Sequence, residues 1–219
     1  MSFHLILVDA EIEWLPPEAV AGPAPRICCL PGADRQRIRI LESYLHRDLM
    51  ASMPDRHRRG RPDIAHAFLT LALSSEHRAK GRLEVLVHTR DNVVIRFARK
   101  AKVEKDYIRF LGALTELFEL GEIGEGDERI SIEMGTSLQK LLEGEGLDII
   151  IALSPTGKKE DLGTTLSRIR GKAVGILIGG FPDGDFLSPA CQIADLAISL
   201  GDEVLTVPDV TAQVLAAIP

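Results

Sequence analysis

Cysteine is scarce: three residues in 219, two of them adjacent at Cys28 and Cys29 and the third far away at Cys191. No CxxC pair and no Cys/His spacing occurs, so neither a zinc framework nor a disulfide scaffold is expected, and no metal. No apolar run approaches the roughly 20 residues of a membrane span. The opening Met1-Ser2-Phe3-His4-Leu5-Ile6-Leu7-Val8-Asp9 is too short for a signal peptide and has no basic n-region; it reads as a buried strand. The dinucleotide fingerprint GxGxxG is missing, because Gly179-Gly180 and Gly184 have the wrong spacing. Gly157-Lys158-Lys159 lacks the upstream glycine and the Ser/Thr of a phosphate loop. There is no GxSxG elbow and no HExxH pair. A soluble, cytoplasmic protein is expected, and 45% hydrophobic residues are enough for a sizeable core.

The two signs of charge are unevenly distributed along the chain. The net charge is −6. Residues 26–110 carry 19 Lys and Arg against 10 Asp and Glu, a net of +9, while the rest carries 7 against 22, a net of −15. A basic front half beside an acidic back half suits a surface specialised on one side for a polyanion, although solvated helix faces give the same count. The basic character peaks at His57-Arg58-Arg59-Gly60-Arg61-Pro62-Asp63, where four cationic or imidazole groups precede one carboxylate. Pro62 opens an apolar, helix-spaced run, and proline suits the first helical position because its missing N–H would be unpaired there anyway. Arg61 then stands at a helix N-terminus, where backbone donors favour anions.

The periodicity predicts α/β organisation without internal repeats. Strands are expected at His4–Val8, Leu83–His88 and Val93–Phe97, the last two joined by a Thr89-Arg90-Asp91-Asn92 turn. Residues 10–35 read as connection, and 36–50 as either a strand or a helix face. Helices are expected over Pro62–Leu73, with Ile64, Phe68, Leu69 and Leu71–Leu73 inward, and over Asp106–Leu120. Gly121–Gly126 reads as connection, and Thr136 and Gln139 have capping-box spacing before Leu141. Three largely apolar segments follow, Leu147–Leu153, Ala173–Ile178 and Leu196–Leu200, as in a parallel sheet covered on both faces. Asp161–Arg170 and Pro208–Ile218 are the accompanying helices. Each strand ends in a polar or glycine-rich loop: Ser154-Pro155-Thr156-Gly157, Gly179 to Asp185, and Gly201-Asp202-Glu203. Ligands of open α/β sheets bind at such ends. Without a phosphate cradle, a backbone-walled pocket there suits a nucleoside-like ligand better than a nucleotide.

These residues together resemble a known family. The segments are His4–Glu11, Gly60-Arg61-Pro62-Asp63-Ile64-Ala65-His66, Val87-His88-Thr89-Arg90 with Val93–Arg96, Tyr107–Gly112, Gly179–Phe186, and Ile198-Ser199-Leu200 with Leu205-Thr206. In this order they resemble the archaeal form of the small-subunit ribosomal RNA pseudouridine N1-methyltransferases, of the SPOUT superfamily. The resemblance runs over nearly the whole chain. It implies one domain over residues 1–219, with RNA-facing basic segments in 26–110 and a C-terminal trefoil knot over about 147–219. It implies S-adenosylmethionine held by Leu153, Ser154, Gly179, Gly184 and the loop Leu200, Gly201, Asp202, Glu203, Val204 and Leu205. Gly201-Asp202-Glu203 replaces the family's aromatic-and-proline loop. Small-subunit rRNA is the implied partner, contacted by Arg61, Lys102, Lys105 and Arg109; Lys102-Val103-Glu104-Lys105 departs from a family pattern built on arginines, so the planar fork is lost while the charge stays. Arg61 and Asp63 are the implied catalytic pair, with Asp63 either holding Arg61 or acting as general base. His66 reads as a packed core or interface histidine. A homodimer is implied, with the helix from Pro208 at its interface. Two other functions remain open at this point: an rRNA-binding assembly factor whose main role is not catalytic, and a related methyltransferase acting on tRNA or ribose.

Overall fold

The structure is a computed structural model and describes residues 2–15, 38–169, 171–201, 203 and 205–219. Cys28, Cys29 and most of the expected 10–35 connection lie outside the described residues. One sheet of eight strands carries the fold. Its strands are β1 (Ser2–Ala10), β2 (Leu83–Thr89), β3 (Val93–Phe97), β4 (Glu122–Ile123), β5 (Ile130–Met134), β6 (Ile149–Lys159), β7 (Ala173–Gly179) and β8 (Leu196–Ser199), in the spatial order β4-β5-β3-β2-β1-β7-β6-β8. The five from β2 to β8 in that order run parallel. The pairs β2–β3, β3–β5 and β4–β5 are antiparallel.

β1 lies at the centre because it is apolar on both sides. Phe3, Leu5 and Leu7 face one layer and Ile6 and Val8 the other, all at most 2% exposed. Each such side chain contributes roughly 1.5–3 kcal/mol through burial. The first layer holds helices α2 (Pro62–Leu73), α4 (Tyr107–Leu120), α6 (Leu162–Arg168) and α8 (Val207–Ala217). The second holds α5 (Leu138–Gly144) and α7 (Ala190–Ile193). Among the described residues there are two further single-turn helices, α1 (Arg47–Met50) and α3 (Glu76–Ala79), and a 3-10 turn at Gly126–Glu128. α2 starts at Pro62 as expected, and α4 runs from an Asp106 cap to Gly121 in the left-handed region.

Several expectations need correction. The loop expected at 154–157 is part of β6, whose pairing with β8 breaks there: Ile198 pairs with both Leu153 and Lys158. The intervening residues bulge out, and Gly157 presses on β8 so closely that a Cβ would meet the Ala197 and Ile198 backbone at 2.7 Å. The 36–50 segment is both alternatives in part, since Ile40 bridges Trp14 in an antiparallel pair and α1 follows. The inward residue near the end of α2 is Ala72, while Leu71 and Leu73 are half-buried, because the helical stripe drifts past them. The cap of α5 is Ser137, which accepts from Lys140 N–H; the Thr136 hydroxyl donates instead to Glu133. The connection after α4 contains β4, and β5 was not expected.

Candidate active site

The carboxyl ends of β6, β7 and β8 enclose a cavity of about 300 Å³. Leu153 and Ser154 enter from β6, Ile178 and Gly179 from β7, and Ile198 and Ser199 from β8. Leu200, Gly201, Glu203 and Leu205 close one side, and the loop from Phe181 to Phe186, including Gly184, closes the other. Gly179 leaves room for this packing, because a Cβ there would meet the Phe181 ring at 2.6 Å and the ring would have to move. The walls are apolar side chains and backbone. The charged residues lining the cavity are Asp183, Asp185 and Glu203, with no Lys or Arg among the described lining residues. That lining repels a phosphate and admits a neutral or cationic nucleoside.

The loop is fixed to β1 at both ends. Gly180 N–H donates to the Val8 carbonyl at 2.7 Å. The carboxylate of Asp9, buried and held at φ 53°, accepts from Leu187 N–H at 2.7 Å, Ser188 N–H at 2.9 Å and the Ser188 hydroxyl at 3.0 Å. Its middle is fixed by Arg58. Arg58 Nη1 donates to the Asp185 carbonyl at 2.7 Å, and the guanidinium lies 3.8 Å from the Phe181 ring centroid. Arg58 Nε meets the fully buried Glu11 at 2.7 Å, and Arg90 Nη1 meets the other oxygen of Glu11 at 2.8 Å.

The basic motif lies next door. Glu11 N–H donates to the Gly180 carbonyl at 3.3 Å, and Arg61 N–H donates to the Glu11 carbonyl at 3.1 Å. Two backbone hydrogen bonds therefore join the cavity loop to Arg61. The Arg61 side chain forms a two-pronged pair with Asp63, with Nε–Oδ1 and Nη2–Oδ2 both 2.8 Å. This pairing, ahead of the opposing effect of partial burial, raises the Arg61 pKa above its usual value. Both Asp63 oxygens are engaged, which is the geometry of an orienting partner. The pair stays open to solvent, at 33% and 43% side-chain exposure.

The family model described as EMG1/NEP1 methyltransferase matches residues 5–218. This chain belongs to the EMG1/NEP1 methyltransferase family. A relative from Methanothrix thermoacetophila, "Ribosomal RNA small subunit methyltransferase Nep1", is 33% identical over 96% of this chain and 92% of its own length. One of the same name from Thermoplasma acidophilum is 35% identical over 97% and 95%. The crystal structure of Archaeoglobus fulgidus Nep1 bound to S-adenosylhomocysteine superposes with a TM-score of 0.82 at 29% identity, covering 100% of this chain and 97% of that one.

For this EMG1/NEP1 member, the structure gathers most of the residues expected from sequence. Leu153, Ser154, Gly179, Gly184, Leu200, Gly201, Glu203 and Leu205 all line the cavity. Asp202 and Val204 lie outside the described residues. Lys102, Lys105 and Arg109 are exposed and form no ion pair with a described residue. His66 brings their loop to α2, because its Nε2 meets the Glu104 carbonyl at 2.8 Å while its ring packs on Phe110 at 4.6 Å. His66 is thus a packed histidine, and the Glu104 side chain is exposed. Neighbouring Tyr107 keeps its proton well above the usual phenol range, through burial first and then the nearby Glu42 and Asp63 charges. The four-group cationic cluster needs correction. Arg58 is buried on Glu11 and Arg59 pairs with Glu13, so only His57 and Arg61 of the four present charge-bearing groups outward. The roles of Glu11, Asp9 and Arg58 were missed. A faint signal existed in the alternation of acids at 9, 11 and 13 against adjacent arginines at 58 and 59. Among the described residues, no group of His, Cys, Asp and Glu is placed to hold a metal ion, and no helix is long and apolar enough to cross a membrane.

Proposed function

We propose that this chain transfers a methyl group from S-adenosylmethionine to N1 of a pseudouridine in small-subunit rRNA and acts in ribosome biogenesis. The observation that carries the reading is the juxtaposition of an acid-lined, backbone-walled cavity with the outward Arg61–Asp63 pair, two hydrogen bonds away. The relatives' names and the product-like molecule bound to the Archaeoglobus protein support it. The cavity fits the donor, because Asp183, Asp185 and Glu203 favour a cation and the bare Gly179 lets Phe181 fold over the wall. Leu153, Ser154, Gly179, Gly184 and the 200–205 loop hold it in this proposal. When bound, the group supplies a methyl already activated on a positively charged sulfur.

The chain's own residues do the rest by placement. Pseudouridine N1 carries a proton in the neutral base; transfer would form the N1–C bond as the methyl–sulfur bond breaks, release S-adenosylhomocysteine, and pass the N1 proton to water. RNA grooves do not offer that nitrogen, so the base is taken from an exposed loop or flipped. Arg61 holds the RNA and Asp63 holds Arg61. Lys102, Lys105 and Arg109 supply further phosphate contacts as point charges or a fork. The proposal includes a SPOUT-type trefoil knot over about 147–219, a single domain, a cytoplasmic setting and a homodimer built on α8.

The test is calorimetry with S-adenosylhomocysteine, followed by mass spectrometry of rRNA and tRNA fragments incubated with the donor. N1-methylpseudouridine in a small-subunit fragment is expected. Absence of affinity for donor and product removes the reading. Methylation of ribose or tRNA replaces its target, and binding of both partners without methylation leaves an assembly factor.

A further inference from the structure

Arg58 belongs to the basic motif by sequence but reaches the cavity by side chain. Its own segment is tied by backbone hydrogen bonds: Arg58 N–H and Arg59 N–H both donate to the Asp55 carbonyl, at 2.8 and 3.2 Å, and the Gly60 carbonyl accepts from Ser43 N–H at 2.9 Å. Three residues on stands Arg61. In the other direction, the guanidinium touches Phe181, donates to Asp185 at 2.7 Å and to the Asp183 carbonyl at 3.4 Å, and all three of those residues line the cavity. The loop's ends are tied to β1 through Gly180 and Asp9, whereas residues 183–185 between them are exposed. Arg58 ties this exposed middle to the 55–61 segment, while the Ser154 hydroxyl reaches the Asp185 carboxylate from β6 at 3.5 Å.

We infer that Arg58 is a positioning residue that couples RNA binding at Arg61 to cofactor binding in the cavity. The two states are the 181–186 loop docked on Arg58 and the loop released from it. RNA held by Arg61 restrains the 55–61 segment, which restrains Arg58, which favours the docked loop. A bound cofactor favours the docked loop from inside. Each ligand then raises the affinity for the other by one common factor, as linkage requires. The choice of arginine follows, because a planar fork satisfies Glu11, two carbonyls and an aromatic face at once, which an ammonium cannot. The inference rests on the proposed reading of the two sites.

The experiment is calorimetric titration of S-adenosylhomocysteine into the full chain, with and without a pseudouridine-containing RNA stem-loop, and the reciprocal titration of RNA. In the unaltered protein each ligand is expected to tighten the other about 5-fold or more. Arg58→Lys is expected to bring that factor close to one while both ligands still bind singly and Tm moves by a few degrees. A purely structural role lowers Tm and both affinities without changing the factor, and overturns the inference. So does a factor of one in the unaltered protein, a result that needs no variant to fold. Failure of the unaltered protein to bind either ligand alone overturns the underlying reading and the inference with it.

Discussion

Asp9 offers a sharp test of how the cavity is held. It is 2% exposed, sits at φ 53°, and one oxygen accepts three hydrogen bonds from Leu187 and Ser188. Hydrogen bonds to a charged group contribute about 1.5–3 kcal/mol each. Leu187 is 55% exposed, so its freed N–H finds water, and the loss from Asp9→Ala falls near the low end, about 3–5 kcal/mol. The loss is confined to a loop, and it therefore appears first as released loop, not global unfolding. Because 1.4 kcal/mol is tenfold in binding, S-adenosylhomocysteine affinity is expected to fall by about 100- to 1,000-fold, with Tm lowered by about 10 °C at most. Asp9→Gly is the control. It loses the same bonds but adopts φ 53° without a Cβ clash, so it is expected to be about 1 kcal/mol more stable than Asp9→Ala. Calorimetry for affinity and denaturant melts for stability read both. Unchanged cofactor affinity in Asp9→Ala, or an alanine variant more stable than the glycine one, refutes the reasoning.

Three other outcomes are expected. Arg61→Ala and Asp63→Asn leave S-adenosylhomocysteine affinity within about twofold while RNA affinity or turnover drops about tenfold, the size of one charge-assisted contact; equal activity in calorimetric and methyl-transfer assays removes the pair from the site. Glu11→Gln strips the buried charge that faces Arg58 and Arg90, and urea melts are expected to show a loss of about 3–5 kcal/mol, with less than 1 kcal/mol contradicting the ion triad. His88 is buried, and burial pushes its imidazole below the usual 6.5. The unfolded chain therefore binds the proton more readily, so stability is full above about pH 6.5 and declines as pH falls below it. His88→Gln is expected to flatten that decline between pH 7.5 and 5.5, and an unaltered slope assigns it elsewhere, with His46, lowered by burial too, as the next group to replace.

Local rules made much of this protein legible from sequence. Pro62 after Arg61 announced the helix start, because proline's constraints act on its own residue. The apolar runs at 147–153, 173–178 and 196–200 announced strands buried in a sheet, and their polar or glycine-rich ends announced the cavity. β5 was legible in principle, since Ile130, Ile132 and Met134 alternate with Ser131 and Glu133, but it is short and surrounded by turn residues. The tertiary structure decided what depends on partners distant in the chain. Arg58 and Arg59 look like part of a polyanion-facing cluster until Glu11 and Glu13, just past the end of β1 and 47 and 46 residues away, pair with them. Asp9 looks like a strand end until Leu187 and Ser188, 178 and 179 residues on, dock onto it. The bulge at 154–157 exists because β6 must pair with β8 on either side of it. A chain fixes its helices and strands through nearest-neighbour sterics and periodicity, but which charges are spent inside the fold and which stay free for a ligand is set by burial and pairing, and those exist only once distant segments meet.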